Sequence, residues 1–378
     1  MFYLAVKTSP GAPSGYSLRK RVSGATKSLL VAALFLAIMP LSVHASDANF
    51  AERCAAPGVL RCLGFDSSQD LTNRVAGNTE TIDTTQSSSG AGSLRFTIRS
   101  QSGEGGAGWF AVNFADDLSA QFDSGEEFFI QWRQRFSPEL LQTYYEGGGG
   151  FKQLIVGAGD LPGCTPSNQS GDVCAKSCTQ LEVVVQNSYQ RGLPQMYHSC
   201  GVKDGNYETL ETSCPYSDCR SYDVMLQNAM PRPYCLWNTD YNGCFKYYPS
   251  EWMTFQLRVK IGTWYRNDRN YHYDSEIQLW VARDGQPSTL VIDRSAARNA
   301  GYDLVRVFPA GQDWEGSAQY GKVWLLPYNT GKNSSQVHPD AYTWYDELII
   351  STRRIPDPVS SSTTGPRPSP PTRLQPTD

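Results

Sequence analysis

The sequence predicts an all-β protein, an antiparallel β-sandwich, and three observations carry that prediction. Short runs of strict apolar–polar alternation recur along the chain. Gly-rich turns separate them, and long helical periodicity is nearly absent. With a leader set aside, about 310 residues remain, which suits one large β-domain better than two average ones.

Taken in order, residues 1–45 read as a signal peptide rather than as fold. Lys7, Arg19, Lys20, Arg21 and Lys27 precede an acid-free apolar run from Leu29 to Leu41, short for a spanning helix. Val43-His44-Ala45 places small residues for cleavage, so the expected localisation is secreted or periplasmic, with no membrane association afterwards. Removing those five of 33 basic residues leaves 28 against 37 acidic ones, a net −9. That balance excludes non-specific nucleic-acid binding, which rests on phosphate neutralisation.

The strands follow. Ser93 to Arg99 sets Leu94, Phe96 and Ile98 against Arg95, Thr97 and Arg99. Phe128 to Phe136 sets Phe128, Ile130, Trp132 and Phe136 against Gln131, Arg133 and Arg135. A short helix is expected from Pro138 to Tyr145, with Ser137 as N-cap and proline where its missing N–H costs nothing. Two β-rich runs, Lys152 to Gly157 and Leu181 to Arg191, carry Lys152, Gln153, Gln186 and Asn187 inside apolar sequence. Burying such groups unpaired costs free energy, so a ligand-facing sheet surface is the working reading.

Met253 to Ile261 alternates most cleanly. Glu276 to Val281, the turn Asp284-Gly285 and Ser288 to Asp293 form a hairpin. A second short helix is expected at Ser295 to Ala300, and Lys322 to Thr330 and Trp344 to Ser351 supply the last strands. Domain limits follow: 46–356 is the sandwich, 160–250 a Cys-rich loop insertion, and 357–378 a disordered Pro/Ser-rich tail.

All ten cysteines lie beyond the leader and read as disulfides. Cys54 and Cys62 are spaced to close a small loop; the other eight lie between Cys164 and Cys244, and no pairing is assigned. No zinc spacing is present, and neither a metal nor another cofactor is called for.

Glycoside hydrolysis needs two carboxylates at controlled separation. Glu182 to Asn187 keeps one acid and ends in amides, while Asp346 and Glu347, being adjacent, are expected on opposite faces of a strand. Uronate β-elimination needs instead a group that neutralises the substrate carboxylate, a base and an acid.

The chain from Arg95 to Ile355 resembles the concanavalin A-like jelly-roll group, especially its alginate, glucuronan and heparin lyases. Gly148-Gly149-Gly150-Phe151-Lys152 is similar to the Gly-rich entry to a lysine-bearing strand in glucuronan lyases. Trp252 to Gly262 with Glu276 to Gly285 resembles the hairpin those folds share with laminarinase-type glucanases, and Trp344 to Ser351 resembles their closing strand. Gln153 stands where alginate lyases carry the Gln of Gln-Ile-His, with Ile155 at the His position, and Tyr320-Gly321-Lys322 with Tyr328 echoes their late Tyr/Lys motif.

The resemblance implies a jelly roll cleaving an acidic polysaccharide by β-elimination, acting as a monomer. Catalytic candidates are Tyr328, His198 and Lys152; substrate-binding candidates are Arg133, Arg135, Gln153, Gln186, Asn187, Tyr189, Lys322 and Trp324. The alternative is a non-catalytic carbohydrate-binding protein using the same groove. Both require Arg133, Lys152, Gln186 and Tyr328 to converge on one concave face. Against them stand plainer readings: a solvated sheet face for the arginines, core hydrogen bonding for Lys152 and Gln186, a loop histidine beside a disulfide for His198, and core packing for the aromatics.

Overall fold

The computed structural model describes residues 45–71, 75–76, 80–147, 150–158, 182–187, 192–198, 224–226, 244–265, 271–295, 302–305 and 319–359. The leader up to residue 44, most of the Cys-rich insertion, Tyr189, all but Ser295 of the helix expected from Ser295 to Ala300, and the tail from 360 lie outside them.

In chain order the elements are α1 (Ala45–Cys54), β1 (Val59–Leu63), β2 (Val75–Ala76), β3 (Thr81–Asp83), β4 (Ser93–Ile98), β5 (Phe110–Asn113) and β6 (Glu127–Phe136). Next come α2 (Pro138–Gln142), β7 (Lys152–Ala158), β8 (Glu182–Asn187), β9 (Pro194–His198) and β10 (Val224–Leu226). The last are β11 (Trp252–Lys260), β12 (Thr263–Tyr265), β13 (Tyr271–Arg283), β14 (Thr289–Arg294), β15 (Tyr302–Val305), β16 (Tyr320–Leu325) and β17 (Ala341–Ser351). Helix α2 starts as expected, its Leu140 N–H donating to the Ser137 hydroxyl at 3.2 Å, but ends at Gln142. The strand expected from Lys322 to Thr330 stops at Leu325.

The strands form two antiparallel sheets. A ten-stranded sheet runs β12-β13-β11-β6-β17-β4-β3, with β1 on β17 and with β14 and β15 on β13. A seven-stranded sheet runs β10-β9-β8-β7-β16-β5-β2. Successive strands cross between them: β4 and β6 lie in the first, β5 and β7 in the second. Alternation explains why the sheets stack. Leu94, Phe96, Ile130, Trp132, Phe255 and Leu257 from one sheet and Val112, Leu154, Val156, Val183 and Val323 from the other form one buried core.

Each sheet also has an outer face. That of the ten-stranded sheet carries Phe129 and Ile349, packed with Ile355 and against Phe50 of α1 and Val59 of β1. The Cys54–Cys62 disulfide ties α1 to β1, as the spacing predicts. Cys244 is also disulfide-bonded. The outer face of the seven-stranded sheet carries Ala111, Ile155, Val184, Trp324 and Leu326, with Trp109 and Tyr328 against them.

Candidate functional site

The two β-rich runs singled out in the sequence are neighbours: β7 pairs with β8, with Lys152 opposite Gln186, and Gln186 lies opposite Gln195 of β9. Gly150 opens β7 because a Cβ there would sit 2.1 Å from the Asn187 carbonyl oxygen; only glycine allows that approach. The ladder slips between Lys152 and Leu154, and this bulge decides which side chains face the groove.

On the far side of the bulge Leu154 and Val156 pack into the core while Ile155 faces outward. Lys152 also faces outward, its ammonium 5.0 Å from the centre of the Tyr328 ring, where an aromatic quadrupole attracts a cation. Gln153 does not. It lies between the sheets, donating to Gln134 Oε1 at 2.9 Å and accepting from the Tyr247 hydroxyl. Gln134 in turn donates to Thr343 at 3.0 Å, and the Tyr345 hydroxyl donates to the Gln153 carbonyl at 2.9 Å. Burial raises both tyrosine pKa values well above their ordinary range, so both stay protonated donors. Gln153 therefore bridges the core.

Asn187 shares the inward parity of Val183 and Val185, and its Oδ1 accepts from Phe151 N at 2.6 Å. It fixes the entry of β7. Gln186, with the opposite parity, stays on the outer face beside Lys152. His198 lies opposite Val183 in the β8–β9 ladder.

From β16, Lys322 and Trp324 join the same outer face, the Lys322 ammonium 5.2 Å from the indole centre. The Lys322 pKa is lowered to about 8 by burial. The Tyr328 hydroxyl bonds the Glu104 carboxylate, and Gly105 runs along the ring, where a Cβ would sit 3.7 Å from two of its edge carbons. The Lys332 ammonium holds the Ser102 carbonyl and so fixes this glycine-rich loop.

Arg133 and Arg135 are elsewhere. Their neighbours Trp132 and Gln134 point into the core, so both arginines lie on the outer face of the other sheet. Arg133 pairs with Asp284 and lies 3.9 Å from Glu347; Arg135 lies over Trp344, 5.9 Å from a ring centre. The four-residue convergence is thus a three-residue one: Lys152, Gln186 and Tyr328 share a face, and Arg133 does not. The acids Asp346 and Glu347 were expected on opposite faces, yet both meet Ser88, through its N–H at 2.6 Å and its hydroxyl at 2.9 Å. A slip in the β17–β6 register between Asp346 and Ile349, with Glu347 at φ 50°, turns them to the same side. They are locked there with Arg53, whose guanidinium bonds Glu347.

Sequence reasoning missed Glu104, Asn113 and Gln195. Gln195 lies in a Pro-Gln-Met run whose period-two pattern was readable; Glu104 sits in a loop with no periodic signal.

No family model matches the chain, and no curated protein matches it. Solved structures do. An alginate lyase of polysaccharide lyase family 14 from Aplysia kurodai aligns over 78% of this chain and 99% of its own, at 13% identity and TM-score 0.44. An alginate lyase from Chlorella virus aligns over 78% and 99%, at 11% identity and TM-score 0.39. A cellulose-induced protein aligns over 78% and 98%, at 11% identity and TM-score 0.36. The chain is a jelly-roll β-sandwich. Such distant likenesses add nothing about the site, which stands on this chain's own residues.

Proposed function

We propose that this is an exported protein that binds an acidic, uronate-containing polysaccharide on the outer face of the seven-stranded sheet and cleaves it by β-elimination. The observation that carries the reading is the Lys152–Tyr328 pair, an ammonium against a phenol, flanked by Gln186 across the ladder. Lys152 and Gln186 neutralise the uronate carboxylate, which makes the adjacent C–H acidic. Tyr328 carries the proton from C5 to the departing oxygen as the C4=C5 double bond forms and the C4–O bond breaks, and Trp324 supplies an apolar surface for sugar rings. Among the described residues no helix is long and apolar enough to cross a membrane.

Incubating the full chain with alginate, glucuronan and heparin while following ultraviolet absorbance of the unsaturated product tests the reading. Tyr328→Phe and Lys152→Ala are each expected to lower kcat/KM by about a hundredfold or more. No product from any uronate polymer overturns catalysis.

One observation favours a second reading, binding without cleavage. The Tyr328 hydroxyl is already engaged by Glu104, so it is not poised toward a substrate. Binding on a glycan array with no product formed selects that reading.

A further inference from the structure

Most arginines of the ten-stranded sheet and helix α1 have acid partners: Arg53 with Glu347, Arg133 with Asp284, Arg258 with Glu127 and Glu276, and Arg283 with Glu251, while Arg135 lies over the Trp344 ring. Lys322, on the outer face of the seven-stranded sheet, has no such acid among the described residues. It is 1% exposed, and among the described residues it meets no carboxylate; its ammonium lies against the Trp324 ring. Burial alone lowers its pKa to about 8, with no opposing charge to raise it. A buried ammonium without a counter-charge is costly and asks for one.

Two amides near it have no hydrogen-bond partner among the described residues. Asn113 lies directly opposite Lys322 in the β16–β5 ladder, on the same face, and is 0% exposed. Neither its amide nitrogen nor its oxygen has a partner among the described residues. Gln121 covers the next backbone position: a Cβ on Gly321 would sit 1.7 Å from its Oε1, and both of its amide atoms are likewise buried and unpartnered. Native proteins rarely leave two such neighbouring amides unmatched, because a buried donor or acceptor without a partner loses its hydration and gains nothing in return.

We propose that Lys322, Asn113 and Gln121 form an oxyanion-binding subsite for a single carboxylate or sulfate group. An ammonium and two amide NH₂ groups are a donor set matched to a compact oxyanion. It is separate from the Lys152 end of the face. Lys322 pairs with Gly157, five residues along β7 from Lys152, which places the two lysines roughly 15 Å apart. The subsite goes beyond the glycan reading, since the group it takes has two sources: an acidic substituent of a polysaccharide, or a free inorganic anion.

The test is nitrogen-detected NMR of the lysine side chains in the full chain, with the Lys322 signal assigned by its loss in Lys322→Met. Sodium sulfate and an alginate hexasaccharide are titrated separately against a chloride background. A saturable shift of the Lys322 signal is expected with at least one of them; sulfate alone identifies a free anion, and the hexasaccharide alone a glycan substituent. Asn113→Asp places a fixed carboxylate beside the ammonium and is expected to weaken that response at least tenfold. Gln121→Glu does the same from the other wall and serves if Asn113→Asp melts below the working temperature. A Lys322 signal unmoved by either probe, or full response in both charged variants, overturns the subsite. Absence of uronate cleavage bears only on the proposed function, because the titration reads binding.

Discussion

The two outer faces of this sandwich are built from similar residues and put to different ends. Each carries long cations, amides and aromatics at alternate positions of its central strands. On the ten-stranded sheet most of these groups are matched, the Nε atoms of Arg95 and Arg133 excepted. Arg53 bonds Glu347 and donates to Gln131 at 2.6 Å, Arg133 bonds Asp284, and the Gln131 and Gln256 side chains donate to the carbonyls of Pro356 and Ile355 at 3.0 and 3.1 Å. On the seven-stranded sheet Asn113 and Gln195 leave polar capacity unused among the described residues, and Lys322 beside Asn113 has no acid. A matched face is held shut by its own chain. An unmatched one is built for something else to complete.

The contrast can be broken by substitution, and the largest effect is expected where pairing is tightest. Glu347→Ala strands Arg53 in a buried setting, while Arg133 keeps Asp284, and should destabilise the protein by about 3–5 kcal/mol, read from urea unfolding. Lys322→Met should do the opposite. At neutral pH the folded state carries a buried charge that the unfolded chain solvates, so the variant should be more stable than the parent by up to about 3 kcal/mol.

That difference has a defined pH course. The folded pKa of about 8 lies below the ordinary 10.5, so between those values the unfolded chain binds the extra proton and parental stability rises with pH. The gap between parent and Lys322→Met should therefore close between pH 8 and 10.5. A gap that stays constant would mean that the lysine has a counter-charge after all.

Smaller effects sharpen the matched side. Joint Cys54→Ser and Cys62→Ser replacement frees α1 from β1 and should cost about 2–3 kcal/mol in thermal or urea unfolding. Arg258→Ala removes a partly exposed guanidinium from Glu127 and Glu276 and should cost about 1 kcal/mol, less in high salt.

Much of the fold was legible because burial on one side of a strand writes itself as alternation. Leu94, Phe96 and Ile98, and Phe128, Ile130 and Trp132, face the core as their spacing says. The Asp284-Gly285 turn joins β13 to β14 as expected. The site was less legible for one physical reason, the bulge. An extra residue flips every parity beyond it, and neither the slip after Lys152 nor the one after Asp346 leaves a local mark in composition. So Gln153 was read as facing a ligand and spans the core, while Asp346 and Glu347 were read as facing apart and act together. The arginines failed differently. Alternation places Arg133 and Arg135 on an outer face but cannot say which of two sheets that face belongs to.

The Arg53–Glu347 bond joins residues 294 apart in sequence, and β17 lies between β4 and β6 in the middle of its sheet. The order of synthesis then matters. A chain emerging from its N-terminus has β4 and β6 early but no strand to put between them, and α1 has no acid to grip. Neither can settle until residue 351 is free. Closure depends on contacts of long sequence separation, the kind that fold slowly and expose unpaired edges meanwhile. The last strand is the keystone of its sheet: a chain cut short of Ala341 would leave β4 and β6 with no strand between them and β1 with no partner.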